Sequence, residues 1–287
     1  MKLLQNLLIL TALASCTAAK VSVPSQFEKE ATRMAVKGLN GWMINQQLSF
    51  GNYHTSAIKR GWDFTSSVQY TRFGLRPEEM LMRVIHIDTD KRNLSQRNKF
   101  QYTLSDGKNI TEIYATEKFR ENDLVYKSNN PFLGDVSRTR RYEYAFTAAI
   151  LPISQKDPQP WSLVLVNRYD ANKDTARKLF DRPFVEEEGY ATNGKDNVAI
   201  RPLRLEEMKS KKGKPMKVFG GPLLAGYELR MDDGVVGIID ILDNAVWLYN
   251  DLEAPDKLLL SSIASAIMLK RMQDVAKDRD NIPTGSN

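Results

Sequence analysis

The stretch Pro255-Asp256-Lys257-Leu258-Leu259-Leu260-Ser261-Ser262-Ile263-Ala264-Ser265-Ala266-Ile267-Met268-Leu269 decides what kind of fold this chain builds. From Leu258 to Leu269 it carries no charge, and its only polar groups are serine hydroxyls that can bond back to the helix's own carbonyls. A surface helix shows a polar face at every turn, so this run predicts a helix enclosed on all sides. Pro255 suits a first helical turn, and Asp256 complements the positive end of the aligned peptide dipoles. The apolar run is well short of the roughly 20 residues that cross a bilayer, so the reading is a core helix. The charged stretch from Lys270 to Asp280 is expected to emerge into solvent, with 279–287 as a flexible tail.

Something must surround that helix, and the preceding sequence predicts strands. Leu223 to Met231, Val235 to Leu242 and Ala245 to Tyr249, parted by Asp232-Asp233-Gly234 and Asp243-Asn244, read as a three-stranded meander. Further back, alternation or β-branched and aromatic enrichment marks seven segments. They are Trp42 to Phe50, Ser66 to Phe73, Met80 to Ile87, Lys99 to Leu104, Asn109 to Tyr114, Tyr142 to Leu151 and Trp161 to Tyr169. Turn signals at Ser105-Asp106-Gly107, Ser128-Asn129-Asn130-Pro131 and Gln155-Lys156-Asp157-Pro158 suit an antiparallel sheet. Residues from Ala171 to Lys217 are the least regular; with the acidic run Glu186-Glu187-Glu188 and the basic stretch Lys209 to Lys217, they read as solvated loop with room for a short helix and one strand. A short helix is expected from Pro24 to Met34.

The expected fold is mainly β (α+β), an antiparallel β-barrel or sandwich with a buried apolar C-terminal helix. This layout, clearest over Gly226 to Met272, resembles the tubby-like and scramblase-like architecture, which implies a closed barrel around the final helix.

The opposite end of the chain carries an address. Met1-Lys2, the apolar run Leu3 to Leu10 and the small residues after it have the three-part layout of a secretory signal. Leu13-Ala14-Ser15-Cys16 resembles the lipobox of bacterial lipoproteins, which implies cleavage between Ser15 and Cys16 and acyl chains on Cys16. Cys16 is the only cysteine of 287 residues, and it falls where that motif needs it. The competing reading is ordinary cleavage after Thr17-Ala18-Ala19, leaving Lys20 as a free terminus. No acidic residue follows Cys16 before Glu28, so the lipoprotein resemblance implies the periplasmic face of the outer membrane. The stretch from Gly41 to Tyr53, continued by Lys59-Arg60-Gly61-Trp62, resembles part of an envelope-lipoprotein family to which no chemistry is attached. The expected organisation is signal 1–15, lipidated tether 16–24, one β-rich domain 25–278 and tail 279–287.

Composition narrows the chemistry. With Cys16 lipidated there is no disulfide and no thiolate metal site. The net charge is +6, or +5 once Lys2 leaves with the signal, a mild excess that suits anionic glycans or lipid head groups and does not suggest nucleic acid. His54 is expected in a loop and His86 in a strand near Asp88 and Asp90, without metal-ligand spacing. No nucleophile elbow, phosphate loop or dinucleotide fingerprint is present, so neither a catalytic residue nor a cofactor or metal is expected. Arg138-Thr139-Arg140-Arg141-Tyr142, followed by Tyr144 and Phe146, puts cations beside aromatics. Arg138, Arg140, Arg141 and Tyr142 are therefore candidate anion-binding residues, against the alternative of a polar strand end running into a core strand.

The functional expectation is a non-enzymatic binding or scaffold lipoprotein of the cell envelope. Its partners would be the membrane through the lipid anchor, an anionic glycan or lipid head group, and envelope proteins. The alternative is an envelope hydrolase acting on a glycan or lipid, with carboxylates that only the fold could pair.

Overall fold

Large apolar residues at every second position give a sheet one continuous inward face, and here that face is wrapped around the apolar helix. The structure, a computed structural model, describes residues 23–39, 46–61, 95–126, 136–154, 159–170, 185–209, 215–218, 221–232 and 234–280. Over 95–98, 118–126, 136–143, 170, 208–209, 215–216 and 271–280 the description is of the backbone alone.

A short helix α1 (Ser25–Glu30) leads into β1 (Ala31–Ala35), β2 (Ser49–Phe50), β3 (Tyr53–Thr55) and β4 (Lys59–Arg60). The long strands β5 (Ser95–Ser105), β6 (Ile110–Tyr126), β7 (Val136–Pro152) and β8 (Trp161–Asp170) follow. Then come β9 (Glu186–Thr192), β10 (Asn197–Leu205), the small pair β11 (Glu207–Lys209) and β12 (Pro215–Lys217), and the meander β13 (Leu223–Met231), β14 (Gly234–Asp240) and β15 (Ala245–Tyr249). Helix α2 (Ala254–Asp280) ends the described chain.

All neighbouring strands run antiparallel, in the order β1-β15-β14-β13-β10-β9-β8-β7-β6-β5-β3-β2, with β4 alongside β5. Lys37 and Ser49 exchange backbone hydrogen bonds of 2.9 and 3.2 Å, joining the last strand to the first. The sheet is thus a nearly closed barrel of twelve strands rather than a sandwich, and among the described residues one backbone bridge joins its two edges. Side chains alone fill a barrel of about eight strands, so a twelve-stranded ring needs something on its axis. Here α2 supplies it, and every residue from Leu258 to Lys270 is buried. Phe100, Tyr102, Ile113, Phe146, Leu163, Leu165, Ile200 and Leu229 of the wall share one core with Leu260, Ile263, Ala264 and Ile267 of the helix. Alanines and serines on the helix leave room for the aromatic wall residues.

The strand β15 ends at Tyr249 and the chain turns through Asn250 to Glu253 into α2, which defines the end where the helix enters. The Asp106–Asn109, Asn193–Asp196 and Asp232–Gly234 turns share that entrance end, because antiparallel register alternates the turns between the two ends. At the exit end the described part of β5 begins, and that of β8 ends, before the ends of β6 and β7 are reached. Ser95 of β5 pairs Phe119, and Asp170 of β8 pairs Arg141. Asp123 to Tyr126 and Val136 to Thr139 therefore pair only with each other among the described residues, as a two-stranded ribbon about 13 Å long.

Several expectations change. The first helix stops at Glu30 instead of reaching Met34, because Ala31–Ala35 pairs in full with β15 and tertiary pairing outweighs local helix signals. Of Trp42 to Phe50, only Ser49–Phe50 is a described strand. Residues 66–73 and 80–87, the turns at 128–131 and 155–158, and the tail 281–287 lie outside the described residues, as do 1–22. The stretch read as loop holds four strands, including β9 and β10, whose apolar positions are too few to mark them in sequence. His54 sits in β3, not a loop, paired with Ser49 and Ser105. Lys270 does not emerge into solvent, being 4% exposed, and α2 stays helical to Asp280.

Candidate functional site

Inside the barrel, three neighbouring strands bring polar side chains to one level near the helix exit. Register places Tyr144 of β7 beside Asn167 of β8, and Asn167 beside Glu187 of β9. The Tyr227 hydroxyl donates to Glu187 Oε1 at 2.7 Å, so this inward carboxylate is held from the next strand pair. From the helix, Lys270 places its ammonium 5.0 Å from the centroid of the Tyr144 ring, a cation–π contact in a desolvated setting. Glu117, one row deeper, is 1% exposed. Nothing among the described residues donates to the buried Oδ1 of Asn167.

Glu186-Glu187-Glu188 was expected in solvated loop, yet Glu187 turns inward and is buried while its neighbours stay exposed. The signal that could have found it is the alternation Glu187, Gly189, Ala191 on one face. It becomes readable only once the register against Leu163 and Leu165 is known. Two inward carboxylates, Glu117 and Glu187, are thus present, but both are sealed behind the helix and the wall.

Further along the axis, serine hydroxyls fix the helix's register. The Tyr102 hydroxyl and Ser265 Oγ are 2.7 Å apart, and Ser262 Oγ lies 2.8 Å from Thr111 Oγ1. Ser262 also donates to the Leu258 carbonyl at 2.8 Å, the back-bonding that lets a serine sit in an apolar helix. Burial pushes the Tyr102 phenol well above the usual tyrosine range, and the Ser265 hydroxyl offsets only part of that.

The entrance rim is acidic. Burial raises the Asp256 carboxyl, and the charges of Glu253 and Asp196 raise it further. Glu30, then Asp251, holds the Tyr249 phenol above its ordinary value. At the other end, Asp240 accepts from the backbone N–H groups of Leu242 and Asp243 at 3.0 and 2.9 Å, fixing the β14–β15 turn. Burial still leaves its carboxyl raised.

Arg138, Arg140, Arg141 and Tyr142 all lie in β7, the last two still paired with β8 and Arg138 in the ribbon. Thr139 pairs Asp123 and Arg141 pairs Asn122, so Arg140 is the extra residue of a bulge and the simple alternation of this stretch is broken there. On its other side Arg141 stands opposite Asp170. Tyr144 and Phe146, which follow, belong to the core. Ser15 and Cys16 lie outside the described residues, as do His86, Asp88 and Asp90. Among the described residues no three His, Cys, Asp or Glu side chains come together as a metal site, and no helix is long and apolar enough to cross a membrane. The chain matches no protein-family model, no curated protein and no solved structure.

Proposed function

We propose that this chain is a cell-envelope lipoprotein, anchored through acyl chains on Cys16, whose body is a non-enzymatic binding or scaffold module. The observation that supports it is the filled axis: the uninterrupted burial of Leu258 to Lys270 turns the barrel into a solid body. A solid barrel offers its outer walls and its ribbon rather than a lumen, which suits contact with partners. On this reading the protein sits on the periplasmic face of the outer membrane. The ribbon and its base, carrying Arg138, Arg140, Arg141 and Tyr142, meet an anionic glycan, a lipid head group or an envelope protein.

The test is cross-linking in intact cells followed by purification of the lipidated protein. Specific envelope partners are expected, and their recovery should fall when Arg138, Arg140 and Arg141 are all replaced by Gln. Hydrolysis of an envelope glycan or lipid by the purified protein, abolished by Glu117→Gln or Glu187→Gln, would overturn the non-enzymatic reading.

A further inference from the structure

The anchor and the wall it leads to set which side of the barrel can meet the membrane. Six residues separate Cys16 from Val23, so fully stretched they reach about 25 Å. Val23 does not hang free of the barrel. It packs, with Phe27 of α1, into a small apolar cluster on the outside of the wall, together with Ala225, Ile238, Trp247 and Tyr249. Arg33, Trp247, Ile238, Glu228 and Arg201 form one cross-strand row over β1, β15, β14, β13 and β10, so α1 lies across this wall.

The ring order puts β6 six strands away from β14. At about 4.8 Å per strand the path around the backbone is about 29 Å, and longer over the side chains. The tether cannot carry its lipid to that far wall.

Resting on the lipoprotein reading, we propose that the β10-β13-β14-β15-β1 wall, with α1 on it, lies against the bilayer surface that holds Cys16, and that the β6–β7 ribbon lies on the side of the ring away from it. The surface is suited to a zwitterionic head-group layer. Acidic and basic residues alternate on it, as in Arg33 beside Asp243 at 3.5 Å and Arg230 beside Glu228 at 3.3 Å. The Arg33 guanidinium lies 6.0 Å from the centroid of the Trp247 ring, so the cation and the amphipathic aromatic meet at the same flank. Glu28, Lys29 and Glu30, all exposed on α1, add two acidic charges and one basic. The consequence is a fixed facing: a partner of the ribbon is met on the side of the barrel away from the membrane.

Once Cys16 is acylated the chain has no free thiol, so single introduced cysteines can be labelled cleanly. Full-length lipidated protein carrying Gln26→Cys or Lys29→Cys on the near wall, or Lys108→Cys or Ser137→Cys on the far side, is labelled with a fluorophore. Each is placed in phosphatidylcholine vesicles containing a head-group spin-label quencher. Quenching at 26 and 29 is expected to exceed that at 108 and 137 by at least three-fold, and equal or reversed quenching overturns the orientation. Inserting twenty Gly/Ser residues between Ala19 and Lys20 extends the reach to about 90 Å and should erase the difference; a difference that survives overturns the tether's role. The mass of the mature protein separates the two levels, since a Cys16 without acyl chains removes the lipoprotein reading, whereas acylated protein quenched equally on both sides overturns the orientation alone.

Discussion

Gly38 stands at φ +88°, beside the Lys37–Ser49 bridge, and a Cβ there would overlap the carbonyl oxygen of Gln47. Both the left-handed backbone and the close approach require glycine, so Gly38→Ala should cost at least about 2 kcal/mol. Urea titration followed by tryptophan fluorescence measures it. Asp256 makes the opposite kind of prediction. Burial and two acidic neighbours raise its carboxyl above the ordinary 3.8. The stability it contributes is therefore full below that value and is lost as pH rises through the folded-state one. Asp256→Asn should raise the melting temperature at pH 7 and leave it unchanged at pH 3. The side chain is only half-buried and its charge partly screened, so the gain should stay within about 0.5 kcal/mol. Of these single-residue features, the sequence displayed the dipole-matched Asp256 but not the seam glycine, whose partner carbonyl is supplied by tertiary closure.

From Leu258 to Leu269, helix α2 has no surface face to betray its packing, so its burial there was legible from composition alone, whereas its rotation on the axis is set by hydroxyl pairs. Ser265→Ala leaves the buried Tyr102 hydroxyl without its partner and should cost about 1–3 kcal/mol. Tyr102→Phe alone should cost a similar amount, and the double variant less than the sum of the two, as chemical denaturation of all four proteins would show. Ala264 has no exposed surface. Ala264→Asp puts an unpaired charge on the axis and should cost more than about 3 kcal/mol or prevent folding. Ala264→Ser, isosteric enough to be accommodated, should fold with a loss near about 1 kcal/mol. The strands were legible in proportion to their apolar alternation: β8, β13 and β15 stood out, but β9 and β10 did not. Gly189 occupies an inward position where a Cβ would press on Leu165, so the sheet uses an absent side chain where a sequence reader looks for a large one.

For the whole molecule, the tether and the barrel are separable if the lipid acts only as an anchor. Cys16→Ala should move the protein from the membrane fraction to the soluble fraction while the melting temperature of the folded body stays within about one degree, because single surface substitutions rarely exceed about 0.5 kcal/mol. Fractionation and differential scanning calorimetry on the same preparations check both halves. The sheet also joins parts of the chain far apart in sequence, since β1 pairs with β15. The wall is therefore complete only after the last strands are available.

By itself, the sequence determined the class of the body, mainly β around a buried C-terminal helix. A charge-free run with serines alone for polarity has nowhere to go but an enclosed core, and alternating segments around it can bury their apolar sides only by wrapping it. The tertiary structure alone decided that the wall is a barrel and not a sandwich, because closure among the described residues rests on a backbone bridge between Lys37 and Ser49, whose side chains give no sign of it. It also decided the site. Tyr144, Asn167, Glu187, Tyr227 and Lys270 meet only through the register of separate strands and the depth of the helix. A one-residue slip along any of those strands would have turned its member outward.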